Sequence, residues 1–194
     1  RSTLFPYTTL FRSSYYLGTE DATVAVPASV TAPNNETYPV VNIGENVFAN
    51  HTEITQVVLP ESIAQVGLNA FAGMDNLGVL IVKNWETTFA IPLDASNQFG
   101  PNTVIVQPIA NLSNNNLGRV ISSRPGTRFY SGNHYENPFV FNCYQNDDDD
   151  YVAMVTSYIA NDQATVNVPA TVTDPTTNTV YAVNQLPEGL FLDH

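Results

Sequence analysis

The chain has 194 residues and a formal net charge of −12, from 6 Lys and Arg against 18 Asp and Glu. It lacks the basic footprint that nucleic acid requires, which excludes nucleic acid as a main partner, and the same balance disfavours an anionic bilayer surface. No apolar run reaches the roughly 20 residues of a spanning helix, and Cys143 is the lone cysteine, so no internal disulfide forms.

Residues 1–13 read Arg-Ser-Thr-Leu-Phe-Pro-Tyr-Thr-Thr-Leu-Phe-Arg-Ser. They resemble, residue for residue, the translation of a short-read sequencing adapter, and as such a scar they are set aside from fold reasoning. They are expected to pack without a repeat partner, and the true start of the reading frame is expected to be missing.

From Tyr15 onward the pattern is β-rich. Ala22 to Thr31 reads as a strand ending in Pro27 and followed by a turn, and Pro33-Asn34-Asn35 supplies turn chemistry. The heart of the chain lies between Ile43 and Lys83, where one unit is written twice. Ile43-Gly44-x-Asn46-x-Phe48-Ala49 returns as Val66-Gly67-x-Asn69-x-Phe71-Ala72, and Ile54-x-x-Val57-Val58-Leu59 as Leu77-x-x-Leu80-Ile81-Val82. Every matched pair keeps the spacing of Phe48 to Phe71. A fixed short period marks a solenoid, in which each unit buries its apolar face only by stacking on its neighbours. The β-branched runs predict short parallel strands, with Pro60 ending the first of them. Gly67 is expected at a positive φ. Ala70 to Met74 is expected as one helical turn, with Phe71 inward and stacked on Phe48.

The order I-G-x-x-x-F followed by L-x-x-V-x-I-P resembles the BspA-type leucine-rich repeat of bacterial and some protist surface proteins. The resemblance implies a leucine-rich-repeat solenoid of short parallel strands and helical turns, a β-rich α/β coil. That family usually carries a cysteine after the phenylalanine turn. Here Met74 stands at that place in one repeat and His51 in the other, and methionine fills the same kind of apolar gap.

A longer repeat is nested around the short one. Ala22 to Thr31 returns as Ala164 to Thr173, and the match continues with Pro33 and Pro175, Thr37 and Thr179, and Asn42 and Asn184. After a one-residue shift it pairs Glu45 with Glu188, Phe48 with Phe191 and His51 with His194. These copies divide the chain into a first array over 14–108, a connector over 109–138 and the start of a second module over 139–194. Trp85 to Gly100 reads as a degenerate rung, and Val104-Ile105-Val106 as the last strand of the first array, one residue late. The second module is expected to open with a hairpin, Phe139 to Tyr144 and Tyr151 to Ile159, turned at Asp147 to Asp150. It stops in mid-repeat, which reads as truncation.

Catalytic and metal signatures are not apparent. The four aspartates match no calcium-loop spacing and read as a solvated hairpin tip. His51, His134 and His194 have no second ligand at metal spacing. Cys143 reads as a small buried residue of the Phe139 to Cys143 strand rather than as a nucleophile. Three N-glycosylation sequons begin at Asn35, Asn50 and Asn111, as an Asn- and Thr-rich chain produces by chance. No cofactor, metal or catalytic residue is assigned.

Two functions remain. One is a non-catalytic secreted or cell-surface binding or adhesion scaffold, whose repeats meet a protein or glycan of a host or neighbouring cell. The other is a structural or accessory module of a larger secreted enzyme. The extracellular or surface location is what the resemblance implies. Strand alternation assigns Val57, Leu59, Leu80, Val82, Val104 and Val106 to the core. Val58, Ile81 and Ile105 then point outward, flanked by Gln56, Lys83 and Gln107, with Ala25 as a further member. That stripe is read as a ligand-binding face; the competing readings are β-propensity alone or coverage by a neighbouring loop.

Overall fold

The computed structural model describes residues 22–84, 102–107, 128–159 and 165–191, and the backbone alone of 11–13 and 129. Its strands are β1 (Phe11–Ser13), β2 (Thr23–Ala25), β3 (Ser29–Thr31), β4 (Thr37–Ile43), β5 (Gln56–Leu59), β6 (Gln65–Val66), β7 (Val79–Val82), β8 (Val104–Gln107), β9 (Arg128–Ser131), β10 (His134–Glu136), β11 (Phe139–Gln145), β12 (Tyr151–Tyr158), β13 (Thr171–Thr173) and β14 (Val180–Gln185). The degenerate rung proposed for Trp85 to Gly100 lies outside the described residues, as do residues 1–10.

One parallel ladder, β2-β5-β7-β8-β9, forms the strand side of a coil. The β5–β7 register joins Gln56 to Val79 and Leu59 to Val82, at the spacing of the sequence repeat. On the opposite side, the turns stack as closely as the strands. Asn46 N–H donates to Leu68 O at 3.1 Å, Phe48 N–H to Ala70 O at 2.9 Å and Asn50 N–H to Ala72 O at 2.7 Å. The coil thus satisfies its backbone groups from rung to rung even where no strand forms. Side chains add to this: the Asn84 amide donates to Glu61 O and Ile63 O, and Thr103 Oγ1 to Leu77 O.

The turns differ from expectation in two ways. Among the described residues no helix forms: the segments after Gly44 and Gly67 are runs of turns. The positive φ falls not at Gly67 but at Asn46 (58°), Asn50 (65°), Asn69 (52°) and Gly73 (73°), equivalent pairs of the two repeats. Asn tolerates this left-handed region better than other side-chain-bearing residues. Gly67 serves close approach instead, since an added Cβ would lie 2.6 Å from Glu45 N and 2.7 Å from Gly44 C.

Inside the coil sit Ile43, Phe48, Ile54, Val57, Leu59, Phe71, Met74, Leu80 and Val82, each at most 2% exposed. Met74 fills the apolar gap as expected. His51, its counterpart, places Nδ1 2.6 Å from Glu53 Oε1 near the surface.

The second sheet runs β10-β11-β12-β14-β13. Its hairpin β11–β12 is antiparallel as expected, from Phe139 opposite Tyr158 to Gln145 opposite Tyr151. The acidic turn is organised by Asn146, whose Oδ1 accepts from Asp148 N–H and Asp150 N–H at 3.0 and 2.8 Å. Phe139, Phe141, Val155, Tyr158 and Val172 form the core of this sheet.

The nested copies are visible in the backbone, with one correction. Ala32 N–H donates to Glu36 O in the first hairpin, and Asp174 N–H to Thr179 O in the second. The extra residue of the second copy therefore lies in the hairpin loop, before β14. Thr37 corresponds to Val180 and Asn42 to Gln185, not to Thr179 and Asn184. The later pairing of Phe48 with Phe191 stands, and Gly189, at φ 77°, takes the place of Asn46.

Two further expectations change. Phe11–Ser13 does find a partner, pairing in parallel with Val40, Asn42 and Ile43. The second copy has the same arrangement, with Ala153 opposite Val183, Met154 opposite Gln185, and a break in register at the equivalent place. An open strand edge pairs through backbone groups and is indifferent to side-chain origin. Residues 109–138, read as a connector, contain β9 and β10. β9 extends the coil ladder by pairing with β8 from Val104–Arg128 to Gln107–Ser131, and β10 joins the second sheet.

Candidate functional site

The outer side of the coil strands carries the stripe singled out from the sequence. Alternation holds in β5 and β7: Val57, Leu59, Leu80 and Val82 lie in the coil core, while Val58 and Ile81 lie on the opposite side. That side is not solvent. Val58 is 0% and Ile81 1% exposed. They pack with Val79, Val104, Val106 and Val140, bordered by Ala25, Tyr130, Tyr135 and Ile159. Tyr130 belongs to β9 of the same ladder, while the covering residues Tyr135, Val140 and Ile159 come from β10, β11 and the residue after β12, so the second sheet is laid over the outer face of the first. Thr156 Oγ1 fastens the two by donating to Ser131 O at 2.6 Å.

In β8 the assigned facing is inverted. Leu80 is in register with Ile105, and Ile81 with Val106. Ile105 therefore points into the coil, and Val104 and Val106 point outward. A slip of one residue flips every side chain of a strand, and the longer span between β7 and β8 introduces that slip. Gln107 follows onto the inner side, 1% exposed, and its amide oxygen and nitrogen have no hydrogen-bond partner among the described residues. Val58, Ile81, Ile105 and Gln107 thus do not form an open recognition stripe. Gln56 and Lys83 remain at the two ends of the buried layer, each lining a cavity.

The Lys83 end is the more elaborate. One residue past β7, Lys83 continues the outward alternation and meets Asp174, which leads the β13–β14 loop. Asp174 Oδ1 accepts from Thr176 N–H at 2.7 Å and from Thr176 Oγ1 at 2.6 Å, folding the loop around itself. Its other oxygen, Oδ2, accepts from Lys83 Nζ, and both residues are 8% exposed. Lys83 Nζ also donates to Thr176 Oγ1 at 3.1 Å. On the opposite wall, the Asn133 amide joins Cys143 N–H and Cys143 O, each at 2.8 Å, and so positions His134 and Cys143 beside each other on β10 and β11. The resulting cavity has a volume of about 450 Å³.

Its electrostatics follow from burial. Desolvation, then the charge of Lys83, pushes the His134 imidazole down to about 4, against a smaller opposing pull from Asp174. Desolvation, then Asp174, pushes the Cys143 thiol up to about 12. Burial alone would raise the Asp174 carboxyl, but hydrogen bonds from Lys83 and Thr176 outweigh it and hold the group below its ordinary value. Burial also raises the Tyr181 phenol, helped by Asp174 and Cys143. At neutral pH the cavity therefore presents a neutral imidazole, a protonated thiol and an ion pair neutralised within itself.

Sequence reasoning reached only Lys83 of this set. One signal was available: Asp174 stands where the first copy has Ala32, a break in an otherwise close repeat. Asn133, His134 and Tyr181 belong to the second sheet but lie far apart in sequence; its strand order brings them to one end, and the packing of that sheet on the coil brings them to Lys83. Among the described residues no three His, Cys, Asp or Glu side chains converge as a metal site, and no helix is long and apolar enough to cross a membrane.

No protein-family model matches the chain, and no curated protein matches it. Solved structures are similar to it. A leucine-rich repeat protein from Bacteroides capillosus is 24% identical over 57% of this chain and 78% of its own, with a TM-score of 0.35. A leucine rich cell surface protein from Faecalibacterium prausnitzii is 17% identical over 84% of this chain and 58% of its own, with a TM-score of 0.38. A leucine-rich repeat protein from Bacteroides ovatus is 17% identical over 63% of this chain and 34% of its own, with a TM-score of 0.32. Two of the three are leucine-rich repeat proteins by name. The repeat architecture of this chain rests on its own coil, with strands, turns and Phe48–Phe71 stacked at one spacing.

Proposed function

We propose that the chain is a non-catalytic binding scaffold of a secreted or cell-surface leucine-rich repeat protein, meeting a protein or glycan of a host or neighbouring cell. The observation that carries this reading is the junction cavity. Its walls mix polar and apolar groups, and its thiol at about 12 and its imidazole at about 4 are both held away from nucleophilic or proton-transfer work at neutral pH. A site of this kind recognises without reacting. The resemblance carried by the repeat residues supports the surface location. The test is saturable binding of the purified chain to intact epithelial cells and immobilised extracellular-matrix glycoproteins, with chromogenic glycosides, esters and peptides assayed alongside. Binding without turnover supports the proposal. Turnover lost in Cys143→Ala, or no binding to any of these surfaces, contradicts it.

A further inference from the structure

We propose that the cavity between the coil and the second sheet binds a neutral, polyhydroxylated ligand, of the kind a terminal sugar of a glycan presents. This rests on the binding-scaffold reading and names its ligand class. At about 450 Å³ the cavity falls within the size range of small-ligand sites. Its walls combine two surfaces. Ala28 and Pro60 of the coil, with the ring of Tyr181, are apolar and suit the C–H face of a pyranose. Glu61, His134 and the Tyr181 hydroxyl are polar, and no hydrogen bond of their side chains is made among the described residues. A neutral imidazole offers one donor and one acceptor, a phenol offers both, and a carboxylate accepts. That mixture matches hydroxyl groups, which both donate and accept.

Charge narrows the class further. Lys83 and Asp174 cancel each other, which leaves Glu61 as the uncompensated charge of the lining, on a chain whose formal net charge is −12. An anion is repelled by that balance. A cation finds only the exposed Glu61 to pair with, since Asp174 within the cavity is already bonded by both Lys83 and Thr176. A neutral ligand meets neither obstacle.

The experiment is a calorimetric titration of the full chain with the methyl glycosides of glucose, galactose, mannose and N-acetylglucosamine. Sialic acid serves as the anionic probe and lysine methyl ester as the cationic one. The expected result is saturable binding of at least one neutral glycoside, weakened about tenfold by Glu61→Ala and by Tyr181→Phe, as the loss of one hydrogen bond implies. Circular dichroism of both variants is expected to match the parent. The proposal is overturned if only the charged probes bind, if no neutral glycoside binds, or if neither substitution changes the affinity. If the chain still binds cells while every glycoside fails, the ligand class alone falls. If cell binding fails as well, the scaffold reading falls with it.

Discussion

Phe48 and Phe71 stack with ring centroids 5.6 Å apart and planes inclined by 17°. They occupy the same place in successive rungs, and the backbone ladder between their turns holds them at that separation. The stack is the interior spine of the coil. Phe71→Ala removes a fully buried ring from a packed core and is expected to cost about 3–5 kcal/mol, read by denaturant unfolding. A parent-like midpoint contradicts the stacked spine.

Two neighbouring positions separate shape from conformation. Gly67→Ala drives a methyl group into the Glu45 and Gly44 backbone, and overpacking of this kind costs about 1–3 kcal/mol. Asn69 sits at φ 52°, so Asn69→Val is expected to cost about 1–2 kcal/mol while Asn69→Gly is tolerated. Equal effects of Val and Gly at Asn69 contradict the left-handed turn.

The buried ion pair predicts a double-mutant cycle. Asp174→Leu alone strands the Lys83 ammonium in the junction and is expected to destabilise by about 3–5 kcal/mol. Lys83→Met combined with Asp174→Leu leaves no buried charge and is expected to restore most of that loss. Additive effects of the two substitutions contradict a direct pair.

Stability is also expected to depend on pH through His134. Its folded value of about 4 lies below the ordinary 6.5, so between those values the unfolded chain binds a proton that the folded chain refuses. Stability then falls by about 3 kcal/mol as pH drops through that window, and this contribution levels off below it. Asp174, held below its ordinary value, contributes stability above that ordinary value, which is lost as pH falls through the depressed one. His134→Phe is expected to flatten the upper part of the profile. An unchanged profile in that variant places the acid sensitivity elsewhere.

The rung was legible because local sequence dictates it. Period, β-branched runs, the proline stop and the phenylalanine positions all report on contacts between adjacent coils. No helical turn forms over Ala70 to Met74 because Asn69 just before it and Gly73 within it take left-handed backbone angles that interrupt helix geometry. Ile105 was misfaced because strand register depends on a connection whose length differs from the repeat. The cover over Val58 and Ile81 was open in the sequence as an alternative but not decided by it. Alternation gives the side of a strand, whereas Val140, Tyr135 and Ile159 reach that side only through long-range packing. The junction cavity was the least legible, being assembled from six separated segments.

The most direct test of this account is the double substitution Val58→Asp with Ile81→Asp. Both side chains are essentially unexposed between the coil strands and the second sheet, and two carboxylates there have no partner to offset desolvation. The expected result is loss of cooperative unfolding, with collapse of the near-ultraviolet circular dichroism. A variant that keeps a parent-like spectrum and melting transition contradicts the packing of the second sheet over the coil.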